Sequence, residues 1–229
     1  MRLSERKPAA APATPGAVAP AGERSYSLEI LLISFAGLLL EIAYTRIISF
    51  KLFYYWTYLI IGLALLGIGS GGVLVAVSGR LRRASTDTIL RWGMLLGAAS
   101  VGVGYLVVAR TRVATLEIWE YGTRTSISQL GRLVLICVAM FASFLIIGVM
   151  VATLLGRTRR VGRLYFADLL GAALACAVVV YLIASVGPVA TVFLAGVVLA
   201  LGSLRVTARR PAFAAAAVVL ALVLGVGLA

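Results

Sequence analysis

Histidine is absent from the 229 residues, and cysteine occurs twice, as Cys137 and Cys176. Neither a metal-ligand spacing nor a disulfide framework can be assembled from that inventory. Both cysteines fall inside apolar runs, where the thiol behaves as a small hydrophobe. Acidic residues are scarce, eight against 21 lysines and arginines. Proline is scarce too, and four of the six prolines (Pro8, Pro12, Pro15 and Pro20) lie near the amino terminus. Residues 1–26 therefore read as a disordered Ala/Pro-rich tail. The first apolar run begins near Leu28 and is too long for a signal-peptide core, so it reads as a retained membrane helix.

What the chain has in quantity is hydrocarbon. Apolar residues make up 62% of the sequence and the mean hydropathy is +1.08. A soluble domain is nearer half apolar. Several runs reach the roughly 18–20 apolar residues that cross a bilayer as a helix. The expected fold is an all-α polytopic membrane bundle of about seven transmembrane helices, at residues 27–49, 53–78, 89–109, 130–155, 164–186, 189–204 and 212–229. Residues 27–229 form one transmembrane domain. Gly187-Pro188 marks a tight turn between the fifth and sixth helices. The polar link 110–129 has room for a short interfacial helix around Leu116, Ile118 and Trp119.

The charges sit between the runs, which is the pattern of loops at an anionic membrane surface and argues against nucleic-acid binding. With the amino terminus inside, the inner segments hold fifteen Lys and Arg and the outer segments six. This bias predicts a cytoplasmic amino terminus for a multi-pass membrane protein. Tyr54, Tyr55, Trp56 and Tyr58 cluster at the outer start of the second helix, as an interfacial belt does. The seventh run ends in Gly-Val-Gly-Leu-Ala with no basic stop, so the natural product is expected to continue past it; a genuine carboxy terminus at the outer face is the alternative.

Charges inside the runs are the local clues to function, because an ionisable group in hydrocarbon is costly and faces a bundle interior or a pathway. Glu41 lies fourteen residues into the first helix, roughly 20 Å from the inner boundary at 1.5 Å per residue. Arg46, Lys51 and Arg132 are its expected partners, in a buried ion pair that fixes helix packing; a proton or substrate site is the alternative. Asp168 is expected in the first turn of the fifth helix, where the helix dipole and Arg163, Arg91 or Arg24 would stabilise it. Glu41 and Asp168 belong to opposite depths, which speaks against a paired-carboxylate catalyst. Gly67-Ile68-Gly69-Ser70-Gly71-Gly72 matches a dinucleotide-binding pattern, but that pattern has meaning only after a strand and before a helix. In an apolar run, Gly67 and Gly71 read as a helix-packing surface, as do Gly171 and Ala175. Such faces are also compatible with homo-oligomers. No catalytic residue, metal site or cofactor site is expected in this chain.

Three stretches resemble the membrane region of bacterial membrane-bound polyamine aminopropyltransferases, the spermidine synthase-like proteins. They are Leu40-Glu41-Ile42-Ala43-Tyr44-Thr45-Arg46, residues 58–72 (YLIIGLALLGIGSGG) and residues 163–176 (RLYFADLLGAALAC). The resemblance implies a multi-pass anchor or polyamine-related module, followed in the parent protein by a cytoplasmic Rossmann-like domain. In related soluble enzymes that domain transfers an aminopropyl group from decarboxylated S-adenosylmethionine to a diamine. This chain departs from the family in having no strand-rich half, no glycine-rich loop after a strand and no acidic cluster for a polyamine. A small permease with Glu41 as coupling site, or a membrane scaffold, stays open beside it.

Overall fold

The computed structural model describes residues 25–52, 56–113, 123–158, 160–207 and 211–226. Among them the regular structure is entirely helical, as the long apolar runs require. In a medium without water only a helix satisfies a lone segment's backbone polar groups internally. The elements are α1 (Ser27–Leu52), α2 (Thr57–Val77), α3 (Gly79–Arg83), α4 (Thr86–Arg110), α5 (Thr123–Arg157), α6 (Val161–Thr207) and α7 (Pro211–Val226). Five of them are long and apolar enough to cross a membrane, namely α1, α2, α4, α5 and α6.

α6 is a hairpin of two arms. Gly187 breaks it with φ 87° and ψ 163°, a conformation open to glycine and strained for other residues. Pro188 follows, with a fixed φ and no N–H to continue a ladder. The Thr191 hydroxyl donates to the Gly187 carbonyl at 2.8 Å and steadies the turn. The return of the chain is visible on α1. Gly171 of the first arm packs on the Leu31 backbone, and Gly202 of the second arm approaches Leu32. In a straight helix those two glycines would be roughly 46 Å apart. The tight turn read from Gly187-Pro188 is therefore present, and each arm rises ~30 Å or more.

Other boundaries differ from the sequence expectation. The basic link after α2 carries a short helix, α3, that hydrophobic periodicity did not signal. Ser78 caps it by accepting from Leu81 N, and the Arg157 guanidinium reaches across to donate to its carbonyls at Leu81 and to Ala84 O, each at 2.6 Å. Ser85 caps α4 through Thr88 N, starting that helix three residues early. α5 starts at Thr123, so part of the link taken as polar coil is helix. At 35 residues α5 is roughly 52 Å long, well beyond the ~30 Å hydrocarbon core. The interfacial helix expected around Leu116, Ile118 and Trp119 lies outside the described residues, as do Tyr54, Tyr55 and the tail 1–24. α7 is described for 16 residues, and its apolar part, Ala214–Gly225, is shorter than a full span.

α1 is the axis of the bundle. It lies along α6 and also touches α2 and α5, with Ile33, Ala36, Leu40, Ala43, Tyr44 and Ile48 fully buried. α2 is held by α5 through glycine. A Cβ on Gly71 would lie 2.5 Å from Val149 N, one on Gly67 2.6 Å from Phe144 Cβ, and one on Gly148 2.5 Å from Ile68 O. Neighbouring Gly69 and Gly62 face open space. α7 is keyed by Leu224, whose two methyls sit against Gly196 of α6 and Gly102 of α4. The exterior stays apolar: Leu65, Val73 and Val77 of α2, Val103 of α4, Val180 of α6 and Leu222 of α7 are all well exposed. Such a surface is soluble in lipid and a liability in water.

The glycine seam predicts a position-specific response. Gly71→Leu should destabilise the detergent-solubilised protein by about 1–3 kcal/mol, the usual range for forcing atoms into a packed contact. Gly69→Ala should be neutral or mildly stabilising. Thermal unfolding of both variants beside the wild type checks the pair, and equal loss at the two sites would remove the seam as the reason.

Candidate functional sites

The described residues contain four carboxylates, Glu29, Glu41, Asp87 and Asp168, and the fold treats each differently. Glu29 is in the first turn of α1 and 1% exposed. Arg205, at the end of the second α6 arm, brings Nε to 3.6 Å from its Oε1. Neither carboxylate oxygen has a hydrogen bond. Asp87, in the first turn of α4, accepts from the Tyr26 hydroxyl at 2.9 Å. These contacts, with Arg157 on α3, gather the start of α1, the α2–α4 link, the α5–α6 link and the end of α6 at one arginine-rich end. At the other end, the Lys51 ammonium donates to Val108 O and Ala109 O, the last carbonyls of α4. Arg132 there donates to Arg112 O at 3.2 Å.

Those opposite-end contacts overturn the ion-pair expectation for Glu41. Lys51 and Arg132 are engaged with backbone carbonyls. Arg46 is exposed and stacks its guanidinium over the Phe50 ring, 4.8 Å from the centroid. Its position is i+5 from Glu41 and i−4 from Phe50, and side chains four apart on a helix are neighbours. Glu41 itself is half-buried in α1 and makes no hydrogen bond or ion pair among the described residues.

Asp168 is also corrected. α6 begins at Val161 and has no acidic residue in its first turn, so Asp168 lies two turns in, beyond the reach of the terminal dipole. Its hydrogen bond comes from the Ser34 hydroxyl of α1. Arg163 is exposed and turned to a surface cleft instead; Arg24 is outside the described residues. Ser34 precedes Glu41 by seven residues, about 10 Å along α1, which keeps Asp168 and Glu41 at different levels.

The glycines of the dinucleotide-like pattern lie in mid-helix, with Gly67 and Gly71 against α5, so no loop is present there to hold a pyrophosphate. Gly171 is on the α1 seam, and Ala175, one turn on, is fully buried. Cys137 is half-buried and Cys176 exposed, both free. No group of three or more metal-ligating side chains occurs among the described residues. A second polar cluster is buried where α1, α4 and α5 meet: Tyr44 is fully buried, Ser143 is 1% exposed, and both hydroxyls lie beside Gly104. The Tyr44 hydroxyl donates to Val101 O at 3.5 Å.

Sequence reasoning overlooked Glu29. The available signal was a carboxylate two residues into the first apolar run; only the return of the second α6 arm shows why it is tolerated there. The chain matches no protein-family model, no curated protein and no solved structure.

The Glu29–Arg205 pair is asymmetric, since Glu29 is buried and the Arg205 side chain is 56% exposed. Arg205→Ala strands a buried charge and should cost about 2 kcal/mol, below the 3–5 kcal/mol of a wholly buried pair. Glu29→Gln leaves a solvated arginine and should cost under about 1 kcal/mol. Thermal unfolding in detergent reads the difference, and the reverse ranking would rule out this account of the pair.

Proposed function

We propose that this chain is an integral membrane helical domain acting as an anchor, the membrane module of a spermidine synthase-like protein in a bacterial cytoplasmic membrane, with the arginine-rich end inside. The observation that carries the anchoring role is the set of five spanning-length apolar helices with an aliphatic exterior. The family part rests on the sequence resemblance. The three resembling stretches hold packing positions: Tyr44 is buried at the axis, Gly67 and Gly71 meet α5, and Gly171 and Ala175 lie on α6. A shared packing frame suits an anchor, which must hold one arrangement in lipid and leaves chemistry to another domain.

A second reading is favoured by one specific observation. Glu41 is half-buried within a span and has no polar partner among the described residues. An unpaired carboxylate in a membrane helix is poorly explained as packing and well suited to proton-coupled movement of a solute. Two measurements separate the readings. Membranes from expressing cells are extracted with alkaline carbonate, and the anchor reading expects the chain to stay in the pellet. Proteoliposomes holding the wild type or Glu41→Gln are then assayed for proton-coupled uptake of spermidine. The anchor reading expects equal background uptake, and the transport reading a loss of at least about tenfold in Glu41→Gln. Release of the chain by carbonate would end both.

A further inference from the structure

The arginine-rich end holds a cleft of about 90 Å3 between α1, α4, α5 and α6. At roughly 10–15 Å3 of accessible space per water, it accommodates several waters or one small oxyanion. Arg157, Arg160 and Arg163 line it, and none of its described lining residues is acidic. Ser25, Ser27, Thr86 and Thr158 also contribute to its wall. Asp87, which follows Thr86, is engaged by the Tyr26 hydroxyl.

The three arginines have different jobs. Arg157 is committed to the protein. Its Nη1 donates to Ala84 O and Thr86 Oγ1, and its Nη2 to Leu81 O and Arg82 O. It therefore forms a fixed wall. Arg160 and Arg163 are exposed, and neither guanidinium has a polar partner among the described residues. They stand one turn apart across the start of α6, and both line the same surface cleft. Arg82 and Arg83, by contrast, are exposed on α3 and do not line this cleft.

The surrounding backbone adds to the same field. α1 begins at Ser27, α4 at Thr86 and α6 at Val161, so three positive helix ends border the cleft. The negative end of α5 is the fourth side, and Arg157 sits on it. Two unspent guanidiniums, four hydroxyl-bearing residues and three helix amino termini around one small space form an arrangement suited to a tetrahedral oxyanion with several acceptor oxygens. Basic pockets between helices at a membrane surface are where phospholipid headgroups bind.

We propose that this cleft is a binding site for a phosphate group, held by Arg160 and Arg163. A lipid phosphodiester and free phosphate share that chemistry. The site needs only the cleft, so it goes beyond the anchoring and transport readings and does not depend on either.

The test uses the full chain as wild type, as Arg160→Gln/Arg163→Gln, and as Arg82→Gln/Arg83→Gln for a charge-matched control. In one arm, protein from nanodiscs of mixed phosphatidylcholine and phosphatidylglycerol is analysed by native mass spectrometry for retained phosphatidylglycerol. In the other, protein in neutral detergent is titrated with inorganic phosphate at ionic strength matched with chloride, and Tm is followed. A lipid occupant gives retention in the wild type and the control that falls about fivefold for each cleft arginine removed. A soluble occupant gives a phosphate-dependent rise in Tm in the same two proteins, lost in the cleft variant, without selective lipid retention. Indistinguishable retention and indistinguishable Tm response across all three proteins would overturn the site.

Discussion

Close backbone approach at glycine is the contact on which this bundle depends. Between helices whose outer surfaces are as apolar as lipid, no hydrophobic gain favours one pairing over another, and association rests on van der Waals fit and interhelical hydrogen bonds. The chain answers with glycine at each main crossing. α2 meets α5 at Gly67, Gly71 and Gly148, α6 meets α1 at Gly171, and Leu224 of α7 lodges between Gly196 and Gly102. At several of these places a single added carbon would come within 3 Å of a neighbour. Helical glycines that face open space, such as Gly62 and Gly69, are interchangeable with other small residues; these are not.

Given that frame, polar groups are sorted by depth. The arginine-rich end joins Glu29 to Arg205, Tyr26 to Asp87 and Arg157 to the α3 carbonyls. The opposite end uses Lys51 and Arg132 on exposed carbonyls. Between them lie Asp168 with Ser34, Tyr44 with Val101 O, and Glu41 alone among the described residues. Glu41 is the exception among the described carboxylates, with neither a hydrogen bond nor an ion pair. Arg160 and Arg163 are the exception among the described cations, since they share a surface cleft with no carboxylate among its described lining residues. The two exceptions are at different levels of the bundle and call for different chemistry.

The helices were largely legible because hydrophobic length and Gly-Pro punctuation are local signals. The hairpin at Gly187-Pro188 could be read from two residues, and the gathering of inner arginines at one end from their spacing. α3 could not be read that way. Its five residues, Gly-Arg-Leu-Arg-Arg, are too few to show an apolar period, and the Leu81 and Ala84 carbonyls are held by Arg157, more than seventy positions away in the chain. The partners of Glu41 and Asp168 were equally illegible. Residues at one depth are equally plausible partners until helix rotation is known, and rotation turned Asp168 to Ser34.

The sequence by itself determined that this is an all-helical chain with spans of membrane length, broken at Gly187 and with its cations between the runs. Those properties depend on composition and on residues adjacent along the chain. The tertiary structure alone decided which glycines are indispensable, why Glu29 can be buried, why Glu41 lacks an ion-pair partner among the described residues, and that Arg160 and Arg163 share a cleft. Each of those follows from the rotation and crossing of helices distant in sequence. In an apolar medium, rotation and crossing are set by the shape of whole surfaces and cannot be read along any one run.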